Sequence, residues 1–192
     1  MNVYDFDDTI YDGDSTVDFY LHCLRTHPRI AVCLPKQAFA FALKALHRIS
    51  TTQLKERFFC FLPLLPDAQA LAESFWDQNL RRIRPWYLAR KQADDLVISA
   101  SPAFLLAPAC RRLGIRPPIA TQADPHTGRI SGENCKGAEK VRRLHAVYPD
   151  AAIGAFYSDS HSDAPLARLA QEAWLVSGDA LKRWEVLPDG EA

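Results

Sequence analysis

The sequence predicts an α/β fold: a Rossmann-like, doubly wound parallel sheet core with a helical cap inserted after the first strand. Three observations predict it. β-Branched, apolar runs with the character of buried strands recur at residues 96–100, 118–122 and 151–157. Helical patterns separate them, which is the alternation that βαβ crossovers produce. Residues 16–95 break that rhythm, carrying only helical stretches directly after an apolar opening at residues 2–6.

Residues 2–6 run straight into aspartates, as a short strand ending at a polar rim would. Apolar side chains recur at helical spacing in residues 17–26, 54–62 and 68–83. Pro28, Pro35, Pro63, Pro66 and Pro85 punctuate that segment. The strand at 96–100 leads to a helix over 104–113, for which Gly114 is suited as C-cap. After the strand at 118–122, Thr127, Gly128, Arg129, Ser131 and Gly132 flank β-prone pieces and predict a small hairpin. A helix over 137–148 precedes Pro149 and the strand at 151–157. A helix over 163–170 then leads to a weaker strand at 173–176. The expected units are an α/β core of residues 1–15 and 96–192 and a helical cap of residues 16–95.

A chain of 192 residues buries about 70% of the surface its unfolded form exposes, and 48% hydrophobic residues agree with a real core. Lysine plus arginine equal aspartate plus glutamate at 23 each, so there is no basic footprint for nucleic acid. The charge is unevenly spread: the first eighteen residues hold six aspartates and no lysine or arginine, a local excess needing solvent or a cation. Five cysteines without a CxxC pair argue for reduced thiols rather than a disulfide framework or zinc site. No secretory signal opens the chain, and no apolar run reaches the ~20 residues of a spanning helix. The expectation is a cytoplasmic protein without stable membrane insertion, monomeric or homodimeric.

The strongest chemical signal is the heptapeptide from Val3 to Thr9, with Asp5 and Asp7 at the end of the first strand. Open α/β sheets bind ligands beyond the carboxyl ends of their strands. Two close carboxylates there repel unless a cation intervenes, and magnesium, which takes one or two carboxylates and keeps waters, is the natural choice. Read alone, the heptapeptide equally suits a solvated acidic turn. Three further pieces fall at strand ends or helix starts. Ser99 follows an apolar strand; its hydroxyl and the backbone N–H groups after it, at Ala100, suit a phosphoryl oxygen. Ser101, just before Pro102, suits a helix N-cap instead. Lys136 lies just ahead of a helix, where a lysine is commonly solvated but where an aspartate-rich site needs a fixed cation. Asp159 ends the third core strand as a further metal ligand, and Asp163 either supports the site or opens the next helix.

This order of pieces resembles the haloacid dehalogenase-like superfamily, in its subfamily IB, phosphoserine-phosphatase-like branch. That family carries DxDx(T/V), a Ser or Thr after a second strand, a Lys, and (G/S)DxxxD. Here they fall at residues 5–9, Ser99, Lys136 and residues 158–163, and the resemblance covers the whole chain. It implies a magnesium-dependent phosphatase acting through an aspartyl-phosphate on Asp5, with Asp7 protonating the leaving oxygen and then activating water. It further implies that Asp5, the Asp7 carbonyl and Asp159 hold magnesium, and that Ser99, Ala100 and Lys136 hold the phosphoryl oxygens. Thr9 and Asp163 stand behind them, Asp163 orienting Lys136 or metal-bound water. Asp7 favours ester hydrolysis over dehalogenation, because a halide needs no acid.

A small phosphorylated metabolite is the expected substrate, chosen by the cap. Phosphoserine phosphatases of this kind carry a glutamate soon after the first motif; here only Asp14 and Asp18 stand nearby. The aromatic residues Phe39, Phe41, Phe58, Phe59, Phe61 and Trp76 read as helix packing before pocket, and Arg81, Arg82 and Arg84 as a solvated face. A lipid-phosphate phosphatase, phosphatidylglycerophosphate-like, and a non-catalytic binding module are the alternatives.

Overall fold

Six strands form one sheet in the order β3-β2-β1-β4-β5-β6 in the computed structural model, which describes residues 1–185. Residues 186–192 of the expected core lie outside the described residues. β1 (Val3–Tyr4), β2 (Leu96–Pro102), β3 (Ile119–Thr121), β4 (Ile153–Ser158) and β5 (Ala170–Ser177) run parallel, and β6 (Ala180–Arg183) pairs antiparallel with β5. Every described helix or strand between β1 and β2 is helical: α1 (Ser15–Thr26), α2 (Leu34–Ala45), α3 (Thr51–Phe58), α4 (Ala68–Asn79) and α5 (Pro85–Leu88), with three short 3₁₀ segments. α6 (Ala103–Leu113), α7 (Ala138–Val147) and α8 (Ala164–Ala167) are the crossovers of the sheet. The fold is α/β, a parallel-dominated sheet flanked by helices, as the sequence predicts. Strand order reverses direction between β1 and β4, so the crevice that accepts ligands in such sheets opens beyond their carboxyl ends.

Local chemistry sets the helix boundaries. Asp14 caps α1 by accepting from Val17 N, Asp67 caps α4, and Ser50 with Gln53 forms a reciprocal capping box on α3. Gly114 ends α6 in the left-handed conformation, φ 67°. Pro35 falls in the first turn of α2, where a missing N–H costs nothing, and so opens a helix rather than interrupting one. Pro63 lies in the 3₁₀ segment Phe59–Leu64 that continues α3.

The central strands of the sheet are buried on both faces. Adjacent residues of β1 point opposite ways. Tyr4 joins a cluster with Phe6, Tyr11, Trp76 and Tyr87, whereas Val3 joins Leu96, Ile98, Leu144, Phe156 and Leu166. Trp76 ties α4 to the sheet side: it packs edge-on to Phe6 and Tyr11, and its Nε1 donates to Leu105 O at 2.6 Å. Truncating such a side chain to alanine costs about 3–5 kcal/mol.

The expected hairpin at 127–132 forms in minimal size: Ala123 bridges Ile130, Asp124 N donates to Arg129 O and Ser131 N to Gln122 O, both at 2.8 Å, and the Asp124 carboxylate takes the N–H groups of His126 and Thr127 into the Asx turn between them. Three elements differ from expectation. The helix expected over 163–170 shrinks to a 3₁₀ turn and α8, because the chain already pairs with β4 at Ala170. Exposed Gln171 and Glu172 hide that strand start from an apolar pattern, and the four-residue β6 has none to show.

Candidate active site

β1 delivers Asp5 to the rim. Asp5 N donates to Tyr157 O at 2.9 Å, prolonging the ladder with β4, and its own Oδ1 accepts from Phe6 N at 2.8 Å. Asp8 then turns the chain with φ 52°, a left-handed conformation that Asp tolerates better than most residues. Past the strand, Asp7 is aimed by two donors: Ser15 N at 2.7 Å, from the first turn of α1, and the hydroxyl of Ser101, from β2. Burial pushes the carboxyl of Asp5 up to about 7, with Lys140 pulling the other way. Burial, reinforced by Asp14, pushes Asp7 to about 6 against its hydrogen bonds.

Of the two lysines near the head of α7, the structure buries the one the sequence reading passed over. Lys140 Nζ lies 2.6 Å from Asp163 Oδ2 and 3.1 Å from Asp5 Oδ1. Burial works against its charge, but Asp5 and Asp163 outweigh that and raise its pKa. Lys136 is exposed and lines the same cleft, so the expectation that Asp163 orients Lys136 is corrected: Asp163 holds Lys140. The helical period carried the clue. Lys140 lies four residues before Leu144 on the buried stripe of α7, and a lysine there must find acids.

Ser101 is likewise corrected. Pro102 occupies the N-cap position of α6, and Ser101 bonds Asp7 while its N–H donates to Ser99 Oγ at 3.1 Å. Ser99, buried, and Ala100 line the cleft. Thr9 and Asp159 clasp one another: Asp159 N donates to Thr9 Oγ1 at 3.0 Å, and Thr9 Oγ1 donates to Asp159 Oδ1 at 3.3 Å. Asp163 Oδ2 also accepts from Ser158 Oγ at 2.9 Å, yet its Oδ1 is buried without a partner.

These groups meet in one cleft of about 400 Å³. Its walls carry six aspartates (Asp5, Asp7, Asp8, Asp14, Asp159 and Asp163) against three lysines (Lys55, Lys136 and Lys140). Three surplus carboxylates make a poor seat for a phosphate dianion, and they fit a divalent cation. Among the described residues no three His, Cys, Asp or Glu side chains cluster as a metal site. Magnesium asks for less: one or two carboxylates, a carbonyl and waters. Asp163 Oδ1, buried beside these groups without a hydrogen-bond partner, leaves one acceptor of the cluster unsatisfied.

Lys55 was not anticipated. It reaches from α3 into the cleft and donates to Ala100 O at 2.7 Å, and burial lowers its pKa. The far wall is apolar: Val17, Phe41, Leu54, Phe58 and Phe59. Of the aromatics read as packing, Phe59, Phe61 and Trp76 are buried, Phe41, Phe58 and Phe59 also line the cleft, and Phe39 is exposed. Asp14 faces the cleft, whereas Asp18 is engaged by Tyr11 and Arg82. Arg82 and Arg84 are thus fastened to Asp18 and Asp12, not to solvent alone.

An acid-lined cleft lies over the reversal point of a parallel-dominated sheet, with a helical block between its first two strands, and this is the architecture of a Rossmann-like α/β hydrolase. The chain belongs to the haloacid dehalogenase-like hydrolase family, whose sequence profile matches residues 3–168. It is 36% identical over 115 residues to Protein CicA of Caulobacter vibrioides, covering 55% of this chain and 52% of that protein. It is 33% identical over 99 residues to a histidinol-phosphatase of Neisseria meningitidis, covering 45% of each. The chain spans about half the length of the curated relatives it matches. Among solved structures, a Bordetella pertussis protein of unknown function superposes with a TM-score of 0.73 at 21% identity, over 90% of this chain and 87% of that one. A phosphoserine phosphohydrolase-like protein of Francisella tularensis gives 0.56 at 13% identity, over 90% and 86%. At such identities the likeness speaks for the fold alone.

Proposed function

We propose that the chain is a magnesium-dependent phosphatase that hydrolyses a phosphate monoester through an aspartyl-phosphate on Asp5. The carrying observation is the contrast between its two motif carboxylates. Asp5 Oδ1 is fixed by Phe6 N and Lys140, which leaves Oδ2 for attack. Asp7, held by Ser15 and Ser101 and raised to about 6, suits an acid that gives and takes a proton near neutrality. The names of relatives point the same way, since they include a histidinol-phosphatase and a phosphoserine phosphatase of Mycobacterium tuberculosis.

In the first step Asp5 Oδ2 bonds to phosphorus, the ester P–O bond breaks, and Asp7 gives its proton to the departing oxygen. In the second, Asp7 takes a proton from water as that water's oxygen bonds to phosphorus, and the Asp5–phosphorus bond breaks to free Asp5 and phosphate. Ser99, the N–H of Ala100, and Lys136 and Lys140 receive the phosphoryl oxygens. Asp5, the Asp7 carbonyl and Asp159 would hold magnesium, which offsets the charge of nucleophile and phosphate. Thr9 keeps Asp159 turned toward the cleft, and Asp163 does the same for Lys140. The inserted helices, residues 16–95, serve as the cap that closes over the substrate, and a cleft of about 400 Å³ suits a small phosphorylated metabolite.

Hydrolysis of an aryl phosphate with and without magnesium tests the reaction, and Asp5→Asn tests the nucleophile. Turnover by the wild type should need the metal, and acid-quenched enzyme should carry a phosphoryl adduct on the peptide containing Asp5. Activity of Asp5→Asn within about tenfold of wild type would end this reading, because an amide is a poor nucleophile.

A further inference from the structure

We propose that the outward face of α2 docks the protein on an anionic lipid surface. The side of a surface helix turned from the core normally carries its charges. α2 does the reverse. Its inner side is fixed by buried Gln37, which accepts from Tyr20 Oη and donates to Phe58 O, and by buried Ala40. Its outer side presents Leu34, Ala38, Phe39, Ala42, Ala45 and, just past its end, Leu46, with no charged residue among them. Phe39 is 63% and Leu46 68% exposed, and Val32, just before the helix, is 73% exposed. No helix among the described residues is long and apolar enough to cross a membrane, so this face is suited to lying on a surface rather than spanning it.

Charge decides between a bilayer and a second copy of the chain. From Phe19 to Lys55 there are six lysines and arginines and no aspartate or glutamate. Exposed Lys36 and Arg48 bracket the apolar face. A two-fold dimer through this face would set one positively charged patch against another, whereas anionic headgroups would neutralise Lys36 and Arg48 while the apolar side chains enter the acyl boundary. The face also runs into the cleft, because Phe41 is half exposed, packs on Phe58 and lines the cleft wall. A protein seated this way turns its cleft toward the headgroups.

Flotation of the full chain with vesicles of pure phosphatidylcholine, and of phosphatidylcholine mixed with an equal part of phosphatidylglycerol, tests the proposal. Binding should be confined to the anionic vesicles and should fade as salt is raised. Phe39→Ser with Leu46→Ser should weaken it by about tenfold or more. Lys36→Glu with Arg48→Glu should do the same. Neither pair touches the cleft, so circular dichroism and hydrolysis of a soluble aryl phosphate should match wild type; this separates a failure here from a failure of the catalytic reading. No binding, equal binding to both vesicles, or binding indifferent to Phe39→Ser with Leu46→Ser would overturn the proposal. So would a dimer in sedimentation that those same two substitutions dissolve, which would make the face a self-interface.

Discussion

The ammonium of Lys140 stands 3.1 Å from Asp5 Oδ1 while its other partner, Asp163, lies 2.6 Å away, and lysine and Asp163 are both almost wholly buried. A lysine in that position holds the fold together and, on the proposed mechanism, also serves Asp5, whereas Lys136 at the exposed margin would serve only the phosphoryl group. Lys140→Met leaves Asp5 and Asp163 buried without their cation. Loss of one partner of a buried ion pair costs about 3–5 kcal/mol. Thermal denaturation in chelator at pH 8 should therefore show a large drop in Tm for Lys140→Met. The drop should shrink as pH falls below about 7, where the raised Asp5 carboxyl takes a proton and no longer needs the cation. Lys136→Met should melt like wild type and lose activity only.

On the proposed mechanism, Asp7 should govern the alkaline limb of activity. Its carboxyl is raised to about 6 by burial, so it is protonated, and able to give a proton, below that pH. With magnesium present, which would keep Asp5 ionised, kcat/KM for an alkyl phosphate should fall as pH rises past about 6, and the fall should flatten in Asp7→Asn, with an overall loss of about 10²–10⁴-fold. An activated aryl phosphate needs little protonation of its leaving oxygen, so its phosphorylation step should suffer much less. Burst kinetics on both substrates measure the difference; equal losses would remove Asp7 from proton transfer.

Magnesium should stabilise the fold as well as activate it. The cleft holds three more aspartates than lysines, and burial raises both Asp5 and Asp159. Raised carboxyls favour the protein at low pH and lose that stability as pH climbs through their folded pKa values, so a cation should help most above about 7. A metal at 100 times its Kd adds about 2.7 kcal/mol. Thermal shifts with magnesium should be larger at pH 8 than at pH 5.5, should be much reduced in Asp159→Asn, and should survive in Asp7→Asn, which contributes only its carbonyl. A shift independent of pH and of Asp159 would place the ion elsewhere.

The strands and the helices around them were legible because burial on both faces writes continuous apolar runs, as at Leu96–Pro102, and because a left-handed cap such as Gly114 has a local signature; the caps Asp14 and Ser50 emerged only with the structure. β6 and the start of β5 were hidden, since their exposed residues carry no such pattern. In the site, Asp5 and Asp159 directly follow β1 and β4, Asp7 lies two residues beyond Asp5, and Ser99 sits within β2 just before the irregularity in its pairing. Lys140, Ser101 and Lys55 escaped because their roles depend on what faces them. A buried lysine declares itself only once the helix phase is known, Ser101 mimics a cap until Asp7 is placed, and Lys55 arrives from an inserted helix whose docking no local pattern encodes.

Lys55 supplies the last prediction. With Thr121 Oγ1, also at 2.7 Å, its Nζ grips the carbonyl of Ala100. That carbonyl shares a peptide with the Ser101 N–H that reaches Ser99, and the Ser101 hydroxyl reaches Asp7. A side chain of α3 thereby steadies the β2 rim where phosphoryl oxygens are expected, and adds a positive charge to a cleft short of it. Two roles follow, a hydrogen bond and a charge, and two variants separate them. Lys55→Gln keeps a donor without the charge; Lys55→Met has neither. Because Thr121 still holds the carbonyl, both should melt close to wild type. If the charge matters, both should raise KM for a phosphate ester by about tenfold or more, the size of a lost charge-assisted bond. The effect should be blunted at high salt, where the phosphate is already screened. Wild-type kinetics in Lys55→Gln, with a loss confined to Lys55→Met, would reduce Lys55 to a latch between α3 and the sheet.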